Sequence, residues 1–230
     1  MDILTIKKDI EKLSERAEEI DTRKDNKLVQ EIVLALKNRI RESDLAALSA
    51  PQIGYNKRIF CINFNGDIRT FINPIITAVK GFELSREKCS SIPKKEFIRP
   101  RHNNIDVCYM TPLGKIESRK FLGLAAKVFQ HHMDHLEGLL LSDIGLEIDA
   151  DFDKASEEEK QKIIDMYLDS LDIKRKDLNT EVEADPELKK TADAIDFMTK
   201  LQRGEVRTTQ VTFDVAEDDN NNKAKEEEKE

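Results

Sequence analysis

The most regular pattern of apolar positions lies near the start of the chain. Five aliphatic residues recur at helical spacing between residues 24 and 42, at Val29, Ile32, Val33, Leu36 and Ile40. This spacing places them on one face of a helix. The pattern predicts a helix that ends before Ser43 and packs that face against a sheet or another helix.

The next part of the chain changes to short runs of β-branched or alternating residues. Four runs have this character, at residues 58–64, 70–78, 104–110 and 115–121. Turn-forming residues stand between or beside them and are interpreted as breaks, namely Gly66, Gly81, Pro93, Pro100, Pro112 and Gly114. The pattern predicts a mainly antiparallel sheet.

A second helical period runs from residue 122 to residue 137. Leu124, Val128, His131 and His135 are spaced four, three and four apart, which places both histidines on one stripe with apolar neighbours. Gly138 follows as a stop signal. The order of helix, strands and helix predicts an α+β fold and not an alternating βαβ series.

Beyond residue 149 the chain becomes charge-rich and helical in pattern. A first stripe comprises Ile163, Ile164, Tyr167, Leu168 and Leu171. A second segment covers residues 186–203, and we interpret the two as an added helical hairpin. We therefore divide the chain into a body over residues 1–150, a charged helical extension over 151–205 and an acidic tail over 206–230.

The net charge of −8 reflects this tail more than the body. From about residue 216 the tail has no apolar residue larger than alanine, which is typical of a disordered, solvated segment. A partner-binding tail is the alternative. No basic face favours nucleic-acid binding.

Cysteine use and hydropathy indicate a soluble protein of the cytoplasm. The N-terminus is too acidic for a transit peptide and lacks the apolar run of a signal peptide. No segment reaches the roughly 20 apolar residues of a membrane span. Three cysteines, an odd number, favour reduced thiols. Cys61 and Cys108 lie within strand patterns and are expected to be buried structural thiols.

The stretch QHHMDHLEG, residues 130–138, holds three of the four histidines. His131 and His135 are one helical turn apart, the spacing by which two imidazoles reach one cation. Alone this signal is weak, because such pairs also occur by chance on helix surfaces. A third ligand is needed, and Cys89, before Pro93, is the best candidate. Taken alone, a cysteine in this position is more often a small buried hydrophobe. His102 is expected to be a surface residue in a loop.

Three motifs together resemble those of peptide deformylases, metalloenzymes that remove the formyl group from the N-terminal formylmethionine of new polypeptides. They are ALSAPQIG at residues 47–54, EKCSS at 87–91 and QHHMDHLEG at 130–138. They occur in the family's order, and the resemblance covers roughly residues 3–145. It implies antiparallel sheets packed around a central helix that carries two metal ligands.

The resemblance also implies roles for individual residues. Cys89, His131 and His135 correspond to the ligands of one divalent ion, Fe²⁺ in the family, with Zn²⁺ or Ni²⁺ as substitutes. Further residues correspond to oxyanion donors (the Gln52 side chain and the Ser90 backbone N–H), to a supporting ion pair (Glu87 and Arg101) and to the substrate pocket (Ala47, Leu124 and Val128). Core packing explains Leu124 and Val128 nearly as well.

The chain departs from the family where proton transfer takes place. His132 stands where the family has the glutamate that transfers a proton from water to the leaving amine. Histidine can act as a general base, but a nearby cation disfavours imidazolium. Ligation by His132 together with His131 is disfavoured, because neighbouring residues of a helix point about 100° apart. Ser49, Lys88 and Ser90 replace alanine, glycine and leucine.

Three hypotheses follow. The first is a divergent peptide deformylase whose His132 serves in catalysis. The second is a pseudoenzyme that binds metal and formylated peptides, or docks on a ribosome or another partner through its helical extension. The third is an unrelated metal-site protein. Formylated N-termini of nascent polypeptides are the expected partners under the first.

Overall fold

The computed structural model describes residues 2–173, so the predicted helix at 186–203 and the acidic tail lie outside the described residues. Within residues 2–173, six helices, α1 to α6, span Ile6–Leu13, Asn26–Glu42, Gly123–Leu136, Leu141–Ile144, Ala150–Lys154 and Glu157–Ser170. Six strands, β1 to β6, span Ala47–Ser49, Ile59–Phe64, Asp67–Cys89, Ile92–Met110, Ile116–Leu122 and Leu146–Ile148. A short 3₁₀ helix covers Ala50–Ile53.

The strands form one antiparallel sheet. Its order is β1-β2-β3-β4-β5, and β6 pairs with β4 on the side that β5 also occupies. The two long strands β3 and β4 are joined by a tight turn at Ser90 and Ser91, with Cys89 opposite Ile92. The predicted α+β class with an antiparallel sheet is confirmed.

Strand β2 shows why helices cover both faces of this sheet. Successive side chains of a strand point to opposite faces. Ile59 and Cys61 belong to the apolar cluster that contains the buried stripe of α2. Phe60 and Ile62 belong to the cluster that contains the buried residues of α3. The sheet is therefore sandwiched between α2 and α3.

Aromatic packing fixes α3 on its face of the sheet. Phe129 is fully buried and has its ring centroid 4.9 Å from that of Phe60, 5.2 Å from that of Phe71 and 5.4 Å from that of Phe121. Burying one such side chain contributes roughly 1.5–3 kcal/mol, and edge-to-face pairs add to it. This packing sets the rotation of α3 and so decides where its histidines point.

Three of the predicted breaks were wrong. Strand β3 continues through Gly81, which adopts φ +61°, and β4 runs through both Pro93 and Pro100. Between residues 99 and 103, β4 pairs with β3 on one side only, because the pairing of β4 with β6 stops at Ile98 and its pairing with β5 starts at Asn104. A free edge tolerates proline, which has no N–H to donate.

The predicted helices near both ends of the body are confirmed, and the extension contacts the body. Helix α6 begins with a capping box at Ser156 and Glu159. Its Leu168 is buried, and the Tyr167 hydroxyl donates to the Ile144 carbonyl over 2.7 Å. In the described part of the chain, no helix is long and apolar enough to cross a membrane.

Candidate metal centre

The turn between β3 and β4 brings Cys89 against helix α3. Cys89 is the last residue of β3, while His131 and His135 lie one helical turn apart on α3. The Cys89 Sγ is 3.2 Å from Nε2 of His135. One donor atom from each of the three residues lies within 4.8 Å of the other two. The three residues proposed from the sequence therefore converge.

Burial and charge together set the ionisation of these groups. Burial raises the pKa of the Cys89 thiol, but hydrogen bonds from His131 and His135 and their positive charge outweigh it and lower that pKa to about 5. Burial lowers the pKa of His131, but Cys89 and Glu87 raise it to about 9. A thiolate, the form that binds metals, is thus favoured at neutral pH.

A buried ionic network orients His131. Its Nδ1 lies 3.0 Å from Oε2 of Glu87. Arg101 holds the same carboxylate with two hydrogen bonds of 2.8 and 2.9 Å, and forms a salt bridge of 2.6 Å with Asp134. Burial raises the pKa of Glu87, but the bonds from Arg101 and His131 outweigh it and lower that pKa to about 2.

A cavity of about 250 Å³ opens beside the three donors. All the predicted pocket residues line it: Ala47, Leu124 and Val128. Leu124 is 76% exposed, so core packing does not explain its apolar character. Among the described residues that line the cavity, Glu87 is the one carboxylate, whereas Arg86, Lys88 and Lys127 bring positive charge. The cavity offers an apolar wall next to polar donors.

Gln52 is buried at the base of this cavity on the 3₁₀ helix. Its Oε1 accepts hydrogen bonds from the backbone N–H and the hydroxyl of Ser49, over 3.0 and 2.9 Å. Its Nε2 lies 3.2 Å from the hydroxyl oxygens of Ser90 and Ser91, and 3.8 Å from Sγ of Cys89. Gln52 therefore links the first motif to the turn that carries the thiolate.

His132 lies in the wall of the cavity, between the sheet and the two other histidines. Its ring centroid is 5.6 Å from that of Phe60, 5.2 Å from that of His131 and 5.9 Å from that of His135. Its Nδ1 is fully buried and makes no hydrogen bond with any described residue. Burial, helped by the charges of His131, His135 and Arg101, holds the pKa of His132 well below its usual value.

The sequence prediction for His102 was wrong. The residue lies in strand β4 and not in a loop, and it is half-buried. Its ring packs edge-on against Phe82 at 4.6 Å, and its Nδ1 is 3.3 Å from the carbonyl oxygen of Gly81. Its backbone N–H and carbonyl both bond to the side chain of Gln130. Burial lowers the pKa of its imidazole.

Two residues of the site, Gln130 and Asp134, were not predicted from the sequence, although both lie in the histidine-rich motif. Gln130 ties α3 to strand β4 through the backbone of His102. Asp134 lies one residue before His135 and pairs with Arg101. The two residues are four positions apart on the helix that carries the ligands, so they share one face of it. This spacing was the sequence pattern that could have identified them. Cys61 and Cys108 are buried away from the three donors, as expected.

The donor set fits a divalent metal ion. Thiolate and imidazole are both ligand types of catalytic metal sites, which use three protein ligands and leave a further position open. Two ligand bonds of roughly 2.0–2.3 Å at a tetrahedral angle place their donor atoms about 3.3–3.8 Å apart. A donor pair at the observed limit of 4.8 Å would therefore close by about 1.0–1.5 Å on binding an ion. The contact between Glu87 and Nδ1 of His131 leaves the other ring nitrogen for the metal. Fold and site together define an α+β protein with a candidate metal centre, formed by a cysteine at the end of a strand and two histidines of a helix.

The sequence is similar to those of known peptide deformylases. A sequence model of the family "Polypeptide deformylase" matches residues 1–147. The peptide deformylase of Dictyoglomus turgidum is 34% identical over 128 residues, which make up 53% of this chain and 84% of that protein. For that of Pelotomaculum thermopropionicum the identity is 35% over 131 residues, or 56% and 81% of the two chains.

Solved structures agree with the sequence comparison. The peptide deformylase of Thermotoga maritima is similar with a TM-score of 0.56 and 29% identity, over 62% of this chain and 95% of that one. A probable peptide deformylase from synechococcus phage S-SSM7 has a TM-score of 0.53 and 32% identity, over 62% and 98%. The chain belongs to the peptide deformylase family. Membership supports a metal-dependent hydrolase.

Proposed function

We propose that this protein removes the formyl group from the N-terminal formylmethionine of nascent polypeptides by metal-dependent hydrolysis. The observation that carries the proposal is the convergence of Cys89, His131 and His135 beside a cavity that Cys89, His131 and Gln52 line. The cytoplasm, where three free thiols persist, is the proposed location. Docking of the helical extension on a ribosome is a further, separate expectation.

The proposed metal is Fe²⁺, with Zn²⁺ or Ni²⁺ as substitutes, held by Cys89, His131 and His135. An ion bound there supplies Lewis-acid polarisation of the formyl carbonyl and makes water a better nucleophile at neutral pH. The Cys89 thiolate reduces the net charge of the centre by one. Glu87 and Arg101 hold His131 in the ring orientation that ligation needs.

The apolar wall of the cavity supports methionine as the first residue of the substrate. Leu124 and Val128 face the cavity next to the histidines, and a flexible thioether side chain fills such irregular apolar space well. Ala47 lies on strand β1 at the same cavity. Its methyl group narrows the entrance that a glycine would leave wider.

Because His132 stands where the family has a glutamate, we expect the chemical step to be slow. The family transfers a proton through a carboxylate at this position, and the loss of general acid–base help typically costs about 10²–10⁴ in rate. Glu87 cannot take over, because Arg101 and His131 already bind both of its oxygens. Apart from the proposed ligands, His132 is then the remaining side chain with the chemistry to accept a proton among the described residues that line the cavity.

A second function, binding without turnover, is favoured by the surroundings of the same residue. His132 is buried beside an aromatic ring, and its Nδ1 lacks any partner among the described residues that would orient the ring or stabilise imidazolium. Under this alternative the protein holds metal and formylated peptides, and hydrolysis is lost.

Formate release separates the two functions. The Ni²⁺-loaded protein is assayed with formyl-Met-Ala-Ser beside His132→Glu and His132→Ala variants. Deformylation predicts measurable release that falls at least about tenfold in His132→Ala. No release by the original chain together with a gain in His132→Glu supports binding without turnover. No release by any of the three, with metal bound, ends the proposal.

A further inference from the structure

Hydrogen bonds from Ser49 fix the orientation of the Gln52 side-chain amide. The Ser49 backbone N–H and hydroxyl both donate to Oε1 of Gln52. An amide nitrogen cannot accept from two donors, so the oxygen must lie on this side. Backbone bonds hold the flanking segments as well: the Leu4 N–H donates to the Gln52 carbonyl, and the Ile6 N–H donates to the Ser91 carbonyl.

The other end of the amide is occupied by groups of the protein itself. Nε2 has two hydrogens, and three acceptors lie near it: the hydroxyl oxygens of Ser90 and Ser91 at 3.2 Å and the Cys89 sulfur at 3.8 Å. Two hydroxyls at hydrogen-bond distance use both hydrogens. Gln52 can therefore reach a molecule in the cavity only by giving up one of these bonds.

The hydroxyl of Ser90 differs from that of Ser91 in where it lies. Ser90 lines the cavity, whereas Ser91 is fully buried behind it. A hydroxyl that accepts one hydrogen bond still has its own hydrogen to donate. Among the described residues the Ser90 hydroxyl has Gln52 as its one hydrogen-bond partner, so this hydrogen is free to point into the cavity.

We propose that the Ser90 hydroxyl is a catalytic hydrogen-bond donor to the formyl oxygen, at the end of a chain that runs from Ser49 through Gln52 to Ser90. The inference rests on the proposed function and names a residue of the same site. Each bond of the chain polarises the next, so that the last hydrogen bond strengthens as negative charge develops on the formyl oxygen. Ser49 is a positioning residue, because it acts only through Gln52.

Ser49 and Ser90, which depart from the family pattern in two separate motifs, thus belong to one chain of hydrogen bonds. Ser49 and Ser90 both stand where the resembling motifs have residues without a hydroxyl, and they lie 41 positions apart in the chain. The structure brings both hydroxyls to the same amide. An added donor offsets part of what the site loses by having an imidazole at position 132.

Kinetics of paired variants test the donor. In the Ni²⁺-loaded protein, Ser90→Ala is expected to lower kcat for formyl-Met-Ala-Ser about tenfold or more, with KM changed less than about threefold. Ser91→Ala removes an equally close hydroxyl that does not reach the cavity and is the matched control. An equal fall in both variants, or no fall in Ser90→Ala, overturns the proposal.

Equilibrium binding gives a second test that does not depend on turnover. One ligand is a methionyl peptide in which a hydroxamate replaces the N-terminal formamide, and it presents an acceptor oxygen to Ser90. The second ligand carries a thiol at the same position and presents no such oxygen. Ser90→Ala is expected to weaken the hydroxamate about 3–10-fold and the thiol less than twofold. Ser49→Ala is expected to weaken the hydroxamate less once Ser90 is already alanine.

These outcomes separate the inference from the proposed function. If no variant releases formate but the hydroxamate alone responds to Ser90→Ala, the donor is present and the hydrolytic function fails. If formate is released but both ligands respond equally, the hydrolytic function stands and the donor role of Ser90 is wrong. A thermal-unfolding comparison identifies any variant that is simply misfolded, and Ser90→Thr, which retains the hydroxyl, must restore the hydroxamate affinity.

Discussion

Oε2 of Glu87 lies 3.0 Å from Nδ1 of His131. This contact joins the second motif on strand β3 to the third motif on helix α3, and it decides which ring nitrogen is left for a metal ion. Arg101 in turn fixes the carboxylate through two hydrogen bonds. The orientation of the His131 ligand therefore depends on the buried side chains of Glu87 and Arg101, which themselves provide no metal ligand.

Glu87→Gln should weaken metal binding about 10–100-fold, because an amide orients the ring of His131 less firmly and removes a negative charge beside it. Competition with a chromophoric chelator measures the affinity. Glu83→Gln is the control: it alters a half-exposed carboxylate of the same strand, whose partner is Lys127. Unchanged affinity in Glu87→Gln would show that the contact does not support ligation.

Arg101→Met should lower the free energy of unfolding by about 3–5 kcal/mol. The arginine side chain is only 3% exposed, and its removal leaves Glu87 and Asp134 buried without their shared partner. Denaturant unfolding of the metal-free protein measures the loss. Arg119→Met, at a half-exposed site, should stay within about 0.5 kcal/mol. Similar values for the two variants would contradict the network.

Cys89 should titrate alone among the three cysteines. Its pKa is lowered to about 5, whereas burial raises that of Cys61 to about 11 and also raises that of Cys108. In the metal-free protein the ultraviolet absorbance of one thiolate should therefore appear as pH rises through about 5, and persist at pH 7. Cys89→Ser should abolish this step. A first transition above pH 8 would contradict the assigned environment.

Leu168→Ala should cost about 2–5 kcal/mol of unfolding free energy, because the leucine is buried where helix α6 meets the body. Ile163→Ala on the same helix removes a side chain that is 38% exposed, and should cost less than about 1 kcal/mol. Thermal or denaturant unfolding distinguishes them. Equal, small effects would mean that α6 is not part of the folded body.

The apolar patterns gave the helices well and the strands incompletely. The stripe from Val29 to Ile40 and the period around His131 each predicted a helix within three residues of its observed bounds. Strand ends were less predictable, because Gly81, Pro93 and Pro100 are local signals for turns. Pairing with a long neighbouring strand overrode the signal at Gly81, and the free edge of β4 tolerates Pro100. That pairing is tertiary information.

The candidate site was predictable only as far as its motifs extend. The ligand set, Gln52 and the ion pair of Glu87 with Arg101 were implied by the resemblance to the peptide deformylase family. The hydrogen bonds of Ser49 and Ser90 to one amide did not, because they join positions 41 residues apart whose substitutions looked independent. The burial of the His132 ring against Phe60 likewise depends on how α3 is rotated on the sheet.

X-ray absorption of the Ni²⁺- or Zn²⁺-loaded protein tests the metal centre most directly. We predict one bound ion per chain with one sulfur at roughly 2.3 Å and two imidazole nitrogens at roughly 2.0–2.1 Å for zinc, and loss of the sulfur in Cys89→Ala. A first shell without sulfur, or stoichiometric metal retained with an unchanged spectrum in Cys89→Ala, would contradict the site.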